Sequence, residues 1–328
     1  MSATTPAGFP PYPAHDLARR AGYLLVGPTG SGKSAVAQSL AETDGLGILS
    51  TDSMLVYRDM NVGTDKPCAA WQRAVPYWGL DLASPGSAFS AGLFLKHAAK
   101  AFAEAGRTRT PLIAVGGTGL YIDTLLHGLD AGGPADVEAR STVERIEREA
   151  GLQGLQEALC ARDPERFEAL QDPANPRRVI RALELSLMGH GGPSARNRED
   201  LPPIPGLRLD PALLRERIAA RVNRMFEGGL IDEVRRLRDA HGAFSLTAGK
   251  GIGYAEAAGV LDGDLAMAEA QERTIVRTRR LAKRQMTWFR HQCNVQWIDV
   301  HSNMSGRDLA GAVRHHWQRH GPTPMAAT

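Results

Sequence analysis

Cysteine is scarce in this 328-residue chain, and its three cysteines (Cys68, Cys160 and Cys293) stand far apart. An odd number without paired spacing argues against a disulfide framework and against a zinc site. No Cys/His pattern of the zinc-finger type follows the basic segment near the C-terminus described below. We therefore expect a protein of the reduced, cytoplasmic compartment.

Long apolar runs are also missing, because no stretch of about 18 apolar residues occurs anywhere in the sequence. The first 20 residues contain prolines and an acidic residue where a signal peptide needs an apolar core. They predict a flexible N-terminus at 1–20. With a net charge of only +3, the composition predicts a soluble protein without a membrane partner.

Short apolar runs at 23–26, 46–50 and 111–115 end in glycine-rich or polar turns, and helical patterns follow the first and third. This order predicts βα units, a parallel sheet and a ligand site at the carboxyl ends of the strands. We expect an α/β fold with a P-loop-containing parallel-sheet core and a helical insertion lobe. The predicted segments after the N-terminus are the first part of the core (21–129), the helical insertion (130–205), the helical remainder of the core with a basic helix (206–300) and a C-terminal segment (301–328).

Two further features are predicted within these segments. Glycine, proline and charged residues between Gly189 and Gly206 are typical of a long loop. The helical pattern at 211–241 contains Gly228–Gly229, where we expect a break.

The stretch "GPTGSGKS" fits a phosphate-binding loop and first suggests ATP or another nucleotide. Its glycines let backbone N–H groups approach a phosphate, Lys33 adds a positive charge, and Ser34 offers a hydroxyl to Mg²⁺. The alternative is a chance glycine turn. The predicted diphosphate-binding residues are Gly27, Pro28, Thr29, Gly30, Ser31, Gly32, Lys33 and Ser34.

A P-loop ATPase usually holds Mg²⁺ with an acidic residue after an apolar strand, but "PLIAV" ends in "GGTG" without one. The acidic residue is instead Asp52, after the second predicted strand. It can ligate a metal or act as a general base, or Asp52 or Ser53 can simply cap a helix. Thr118 adds a hydroxyl at the same sheet edge, unless "GGTG" is an ordinary turn. Loop, Asp52 and Thr118 together fit a small-molecule kinase equally well.

The segment 273–291 has seven Arg/Lys residues and no acidic residue. As a helix it places Arg273, Arg277, Arg280 and Arg284 on one face, and Ile275, Thr278, Ala282, Met286 and Phe289 on a face that can pack on the core. A solvated charged face is the alternative, but such faces mix signs in i, i+4 pairs and this segment shows none. The pattern favours a nucleic acid, and Arg177, Arg178 and Arg181 can extend the basic surface. Trp288 and Phe289 can stack on bases, although core packing suits at least one of them better.

The sequence resembles the tRNA dimethylallyltransferase family (isopentenyl-diphosphate:tRNA transferases) in its bacterial form. The matching stretches occur in the family's order and span about residues 22–299. They are "GPTGSGKS", "STDSMLVYRDMNVGTDKP", "PLIAVGGTGLYIDTLLHGL", "NPRRVIRALEL", "RIAARVNRMFEGGLIDEV", "GKGIGYAEA" and "TRRLAKRQMTWFR".

The resemblance implies transfer of a dimethylallyl group from dimethylallyl diphosphate, with Mg²⁺, to N6 of adenosine 37 beside the anticodon of tRNAs reading codons that begin with U. The implied catalytic residues are Asp52 as general base, Thr118 and Arg221. Leu55 stands where many members have Gln. The implied contacts with the tRNA anticodon stem-loop are Asp52, Ser53, Met54, Leu55, Thr118, Arg140, Arg177, Arg178, Arg181, Arg277, Arg280, Lys283 and Arg284.

Three alternatives stay open at this point. A shikimate-kinase-like P-loop kinase accounts for the loop, the acidic residue and the glycine turn, but does not need the basic, helical half. A non-enzymatic RNA-binding protein accounts for the basic segment, but not for Asp52 and Thr118 at one sheet edge. Prenylation of free adenylate is a variant of the same chemistry, against which the basic helix argues. We expect a monomer.

Overall fold

A computed structural model describes residues 21–129, 136–170, 172–190 and 203–326. The predicted flexible N-terminus and most of the predicted loop between Gly189 and Gly206 lie outside these residues. Contacts divide the chain into two compact units, one of Met1–Gly128 with Arg198–Thr328 and the other of Leu129–Asn197.

The first unit contains one sheet, with strand order β3-β2-β4-β1-β5-β6 along its path. The pairings between neighbours on this path are parallel, and β7 pairs with β1 in the antiparallel direction. The predicted parallel α/β fold is confirmed. The strands of the described residues are β1 (Ala21–Val26), β2 (Gly47–Ser50), β3 (Tyr77–Trp78), β4 (Leu112–Gly116), β5 (Ile204–Leu209), β6 (Val295–Val300) and β7 (Thr323–Pro324).

Helices cover both faces of this sheet. Within the part of the first unit that the structure describes, they are α1 (Lys33–Asp44), α2 (Ala69–Ala74), α3 (Ala91–Thr108), α4 (Gly119–His127), α8 (Pro211–Glu227), α9 (Leu230–His241), α10 (Tyr254–Leu261), α11 (Met267–Gln292) and α12 (Gly306–His320), with a short 3₁₀ helix at Ala248–Lys250. The predicted break at Gly228–Gly229 is confirmed, because α8 ends and α9 begins there.

Successive residues of the central strands enter two different cores. Leu24 and Val26 of β1 join one apolar cluster, whereas Tyr23 and Leu25 join the other. Because side chains alternate across a strand, a continuous apolar run buried on both faces is what a covered parallel sheet requires. Apolar packing on both faces holds the sheet in place. The loops at the carboxyl ends of its strands form the site.

The sequence reading missed the far side of the sheet. Residues 204–206 were predicted as loop, yet they begin β5, which runs parallel to β6 from Ile204↔Val295 to Leu209↔Val300. Ile204 donates its N–H to Asn294 O (2.8 Å). Pro205 therefore directs its donor-free nitrogen to the opposite side, where β5 pairs with β1 only at Gly206. Proline is tolerated there because no ladder bond is lost.

The C-terminal segment, for which no structure was predicted, contains α12. Trp317 of this helix is buried and donates its indole N–H to Leu24 O (3.0 Å). Arg314 forms a two-pronged ion pair with Asp44 at the end of α1 (3.0 and 2.8 Å). These contacts make α12 part of the core of the first unit.

The second unit is helical, and its described helices are α5 (Val137–Arg162), α6 (Pro164–Glu168) and α7 (Pro176–Leu187). Non-helical backbone at Gly151 kinks α5 (φ 61°). The unit has its own small core, formed by Val143, Leu155, Leu159, Val179, Ala182 and Leu183. A unit with a separate core can be folded as a separate lobe.

Candidate active site

The loop between β1 and α1 carries the predicted phosphate-binding motif. Gly30 (φ 83°) and Gly32 (φ 87°) adopt left-handed backbone conformations, which glycine reaches without steric cost. Gly32 caps α1 without a side-chain hydrogen bond. The first backbone amides of α1 are therefore free of side-chain capping at the point where Lys33 begins the helix, a geometry suited to an anion.

A cavity of about 610 Å³ lies at the carboxyl edge of the sheet beside this loop. Its wall combines the loop after β1, the segment after β2, the end of β4 and one face of α8. The predicted site residues that line it are Thr29, Gly30, Gly32, Lys33, Ser34, Asp52, Leu55 and Arg221. Gly27, Pro28, Ser31, Ser53, Met54 and Thr118 were also predicted for the site, but they are not among its lining residues.

Lys33 is buried at the base of the loop, where its Nζ donates to Pro28 O (3.3 Å). Burial lowers the pKa of this ammonium to about 8; attraction by Asp52 opposes the shift and the nearby Arg221 adds to it. A desolvated cation gains more from an anionic ligand than one that stays hydrated. The cavity therefore offers an anion a positive charge that water does not already satisfy.

Arg221 reaches the cavity from α8 and is held by the loop and by residues 64–65. Its guanidinium donates to Thr29 Oγ1 and to Thr64 O (3.1 Å), and it forms an ion pair with Asp65 (3.3 Å). Because three groups fix its direction, the positive charge of Arg221 is preorganised rather than mobile.

Asp52 lines the same cavity, and we call it the acidic wall, as distinct from the cationic wall of Lys33 and Arg221. Its Oδ1 accepts the backbone N–H of Met54 (2.8 Å), and its Oδ2 has no hydrogen bond among the described residues. The alternative in which Asp52 or Ser53 caps a helix is wrong, because only a turn follows here. The carboxylate is thus oriented by one oxygen and available through the other.

Thr118 lies next to this turn rather than in the cavity wall. Its Oγ1 accepts the N–H of Ser53 (3.0 Å) and donates to Ser53 Oγ (3.3 Å). The hydroxyl therefore links the turn after β4 to the Asp52 turn. The structure gives Thr118 a contact that positions Asp52, and its predicted contact with substrate stays a prediction.

The sequence reading missed a buried acid that holds residues 61–63. Glu233, in α9, accepts the N–H groups of Asn61 (2.9 Å), Val62 (2.7 Å) and Gly63 (3.2 Å), and the hydroxyl of Tyr254 (2.7 Å). Burial and this carboxylate raise the pKa of Tyr254. The sequence does contain a signal for this role, because Glu233 falls on the buried face of α9 together with Leu230, Val234 and Leu237. Glu233 thereby fixes the segment 61–63, which precedes the two residues, Thr64 and Asp65, that contact Arg221.

The predicted basic helix forms as part of α11, and its apolar face packs as expected, with Ile275, Ala282 and Phe289 buried. The expectation that its arginines lack acidic partners is wrong for its first half. Arg273 pairs with Glu269 at i, i+4 (2.6 Å), because the helix starts earlier than predicted and includes that acid. Arg277 pairs with the buried Glu256.

The second half of the basic helix differs from the first. Arg280, Lys283 and Arg284 are exposed, and within the described ranges none of them has an ion-pair or hydrogen-bond partner. Phe289 is buried, and Trp288 packs on Gly119, where an added Cβ would collide with the indole. Core packing therefore accounts for both aromatic side chains. Arg279 is partly buried and its Nε also has no hydrogen-bond partner among the described residues, so Arg280, Lys283 and Arg284 are the exposed Arg/Lys side chains of this half without a partner.

The remaining predicted tRNA contacts lie on the second unit. Arg140 of α5 and Arg177 and Arg178 of α7 are exposed. Arg181 is partly buried and lies 3.4 Å from Glu184. The predicted role of these arginines stays a prediction.

Two absences concern the described residues alone. No group of three or more His, Cys, Asp or Glu side chains among them can hold a metal ion. No described helix combines the length and the apolar character needed to cross a bilayer.

The parallel sheet, the glycine-rich loop at the end of β1 and the helix that begins at Lys33 define a P-loop protein of the α/β class. Family models agree with this class and narrow it. The model described as IPP transferase matches residues 55–292, and the model described as isopentenyl transferase matches residues 21–74. The chain therefore belongs to the IPP transferase family, which confirms the resemblance.

Relatives support the same family. A tRNA dimethylallyltransferase of Anaeromyxobacter sp. (strain Fw109-5) is 42% identical over 84% of this chain and 93% of the relative. A tRNA dimethylallyltransferase of Geobacter metallireducens is 39% identical over 84% of this chain and 91% of the relative. The crystal structure of a tRNA isopentenylpyrophosphate transferase from Bacillus halodurans is 34% identical with a TM-score of 0.65, covering 92% of this chain and 98% of that one. A eukaryotic dimethylallyltransferase acting on tRNA, 23% identical with a TM-score of 0.74 over 85% of this chain and 73% of that one, shares the fold.

Proposed function

We propose that this protein transfers a dimethylallyl group from dimethylallyl diphosphate to tRNA, at N6 of adenosine 37 in tRNAs that read codons beginning with U. The observation that carries the proposal is the cavity that Lys33, Arg221 and Asp52 line together. Positive groups on one wall suit a diphosphate, and a carboxylate on the other suits a proton acceptor. Family membership and the free cations of α11 support tRNA as the acceptor.

The reaction joins adenine N6 to C1 of the dimethylallyl group. The lone pair of N6 forms the new C–N bond while the C1–O bond breaks, and its electron pair leaves with the diphosphate. The amine loses one proton, which passes to the open Oδ2 of Asp52. An exocyclic amine is a poor nucleophile, so a carboxylate that accepts the proton as the bond forms is sufficient.

The diphosphate gains negative charge as it leaves. The amides at the start of α1, Lys33 and Arg221 lie where this charge develops, and fixed donors of this kind stabilise a transition state without reorganising. The contacts that Arg221 makes with Thr29 and Thr64 keep it in place during the reaction.

Mg²⁺ fits the donor set of this cavity. Ser34 lines it, and a hydroxyl is one of the hard oxygen ligands that Mg²⁺ accepts. Mg²⁺ commonly takes few protein ligands and the rest from phosphates and water. Bound there, the ion would neutralise charge on the leaving diphosphate.

The acceptor adenine must leave its stack to reach this cavity. That step costs little in a single-stranded loop, where bases are readily splayed out. Arg280, Lys283 and Arg284 would hold the anticodon stem-loop, together with the predicted contacts of the Asp52 turn and of the second unit. A tRNA acceptor also implies that the protein acts in the cytoplasm.

The acceptor is tested with labelled dimethylallyl diphosphate, Mg²⁺ and three alternatives: unmodified tRNA, the same tRNA with guanosine at position 37, and AMP. We expect label only in the first, on a nucleoside whose mass has increased by one dimethylallyl group. Label in AMP alone would replace tRNA by free adenylate. Equal label in the guanosine-substituted tRNA would refute adenosine 37 as the acceptor.

A further inference from the structure

Gln285 connects two loops of the active site, and no role was predicted for it. Its Oε1 accepts the backbone N–H of Thr29 in the phosphate-binding loop (2.8 Å). Its Nε2 donates to Gly117 O in the turn after β4 (3.0 Å). One side chain of α11 thus uses its acceptor and its donor on two different segments of the sheet edge.

The close approach of Gln285 depends on the glycine at 117. A Cβ at that position would collide with the Gln285 amide and come within 3.3 Å of Gly27 O. Gly117 therefore leaves the space in which the amide side chain reaches between the two loops. The adjacent Gly119 is covered in the same way by Trp288, one turn further along α11.

The bridge also determines what Thr29 can do. Its amide donates to Gln285, and its hydroxyl accepts from Arg221 while keeping its own hydrogen free to donate. The backbone of Thr29 therefore anchors the loop, and its predicted contact with diphosphate stays a prediction. The loop is held from one side by α11 and from the other by α8.

We propose that Gln285 is a positioning residue that sets the phosphate-binding loop for the diphosphate and ties it to the helix carrying Arg280, Lys283 and Arg284. This inference rests on the proposed function for the identity of the two substrates. In this role Gln285 acts through Thr29 and Gly117, the two residues to which it is hydrogen-bonded.

The test compares Gln285→Met, which keeps the length and removes both hydrogen bonds, with Gln271→Met. Gln271 lies on the same helix and has no hydrogen-bond partner among the residues described. Leaving a half-buried amide and carbonyl unpaired predicts that Gln285→Met weakens binding of inorganic diphosphate with Mg²⁺ by about tenfold, measured by calorimetry. The affinity for tRNA should stay that of Gln271→Met. Unchanged diphosphate affinity, or an equal loss in Gln271→Met, would overturn the proposal.

Gln285→Glu gives a readout that a merely structural role would not move. A protonated carboxyl group accepts from Thr29 N–H and donates to Gly117 O as the amide does, whereas the carboxylate has no donor. The ratio of its diphosphate affinity to that of the wild type should therefore rise as the pH falls from about 8 to about 5. The other ionisable groups are the same in both proteins, so their contributions cancel in the ratio. A ratio that does not change with pH would overturn the proposal. This test does not depend on Gln285→Met, so it still applies if that variant does not fold.

The two proposals fail separately. Diphosphate affinity reports on Gln285 whether or not the wild type prenylates tRNA. Wild-type protein that binds diphosphate but transfers no dimethylallyl group would instead refute the proposed function.

Discussion

The two walls of the cavity are built in different ways. Lys33 and Arg221 are tied down, the first buried against Pro28 O and the second held by Thr29, Thr64 and Asp65. Asp52 is partly exposed and keeps one oxygen open. A fixed cationic wall suits a charge that develops on a leaving group, whereas an open carboxylate suits a proton that must be taken up and released. The variants below test this division, from the largest expected effect to the smallest.

Asp52→Asn should cause the largest loss. The amide keeps an oxygen for Met54 N–H and therefore preserves the turn, but it cannot accept the proton of the amine. We expect kcat to fall by about 10²- to 10⁴-fold with unchanged affinity for tRNA and inorganic diphosphate, measured by single-turnover transfer and direct binding. Asp52→Ala, which also loses the turn contact, is the comparison. If Asp52→Asn binds diphosphate or tRNA as poorly as it reacts, Asp52 is a binding residue instead.

Lys33→Met should act on the opposite wall. This substitution removes the buried charge at nearly constant volume. We expect kcat/KM for dimethylallyl diphosphate to fall by about 10²- to 10³-fold and the binding of inorganic diphosphate to weaken. tRNA affinity is the internal control and should not change. A loss confined to tRNA binding would place Lys33 outside the diphosphate site.

The cationic wall should also respond to pH. Because burial lowers the pKa of Lys33 to about 8, the unliganded side chain is mostly charged at pH 7 and mostly neutral at pH 9. Diphosphate affinity should therefore fall as the pH rises through 8, by up to about tenfold per unit above it. The same titration with Lys33→Met should lack this loss. A wild-type profile that is flat from pH 7 to 9 would contradict the role of the charged ammonium.

The smallest effect is expected away from both walls, on α11. The affinity for tRNA falls as the salt concentration rises, so log K against log salt has a negative slope. Replacing Arg280 and Arg284 by Gln should make this slope shallower by about 1.4 to 1.8, the value for two lost phosphate contacts. Arg273→Gln is the matched control, since Arg273 lies on the same helix and already pairs with Glu269. If Arg273→Gln changes the slope as much as Arg280→Gln or Arg284→Gln alone, the unpaired arginines do not bind tRNA more strongly than the paired one.

The sequence predicted the elements whose local patterns are strong. The apolar runs of β1, β2 and β4 and the loop after β1 follow from short-range signals. β5 was missed because Pro205 and Gly206 are typical of a loop, and only the pairing with β6 shows that this proline costs no hydrogen bond. Strand pairing between residues about 90 positions apart has no local signature.

The candidate site shows the same limit. Lys33, Asp52 and Arg221 could be named from motifs and from the family resemblance, and all three line one cavity. Gln285 and Glu233 could not, because their roles depend on partners more than 160 positions away. The excess of charge on the basic helix was overestimated for a related reason, since the partner of Arg277 is Glu256 on a different helix.

The central claim is that the phosphate-binding loop holds the diphosphate of a prenyl donor and not ATP. It is tested most directly by one reaction with dimethylallyl diphosphate labelled in the alkyl group, unmodified tRNA and Mg²⁺, without any nucleoside triphosphate. We predict that label enters tRNA and that one inorganic diphosphate is released for each group transferred. Transfer that starts only after ATP is added, or ATP consumed in proportion to product, would contradict the account.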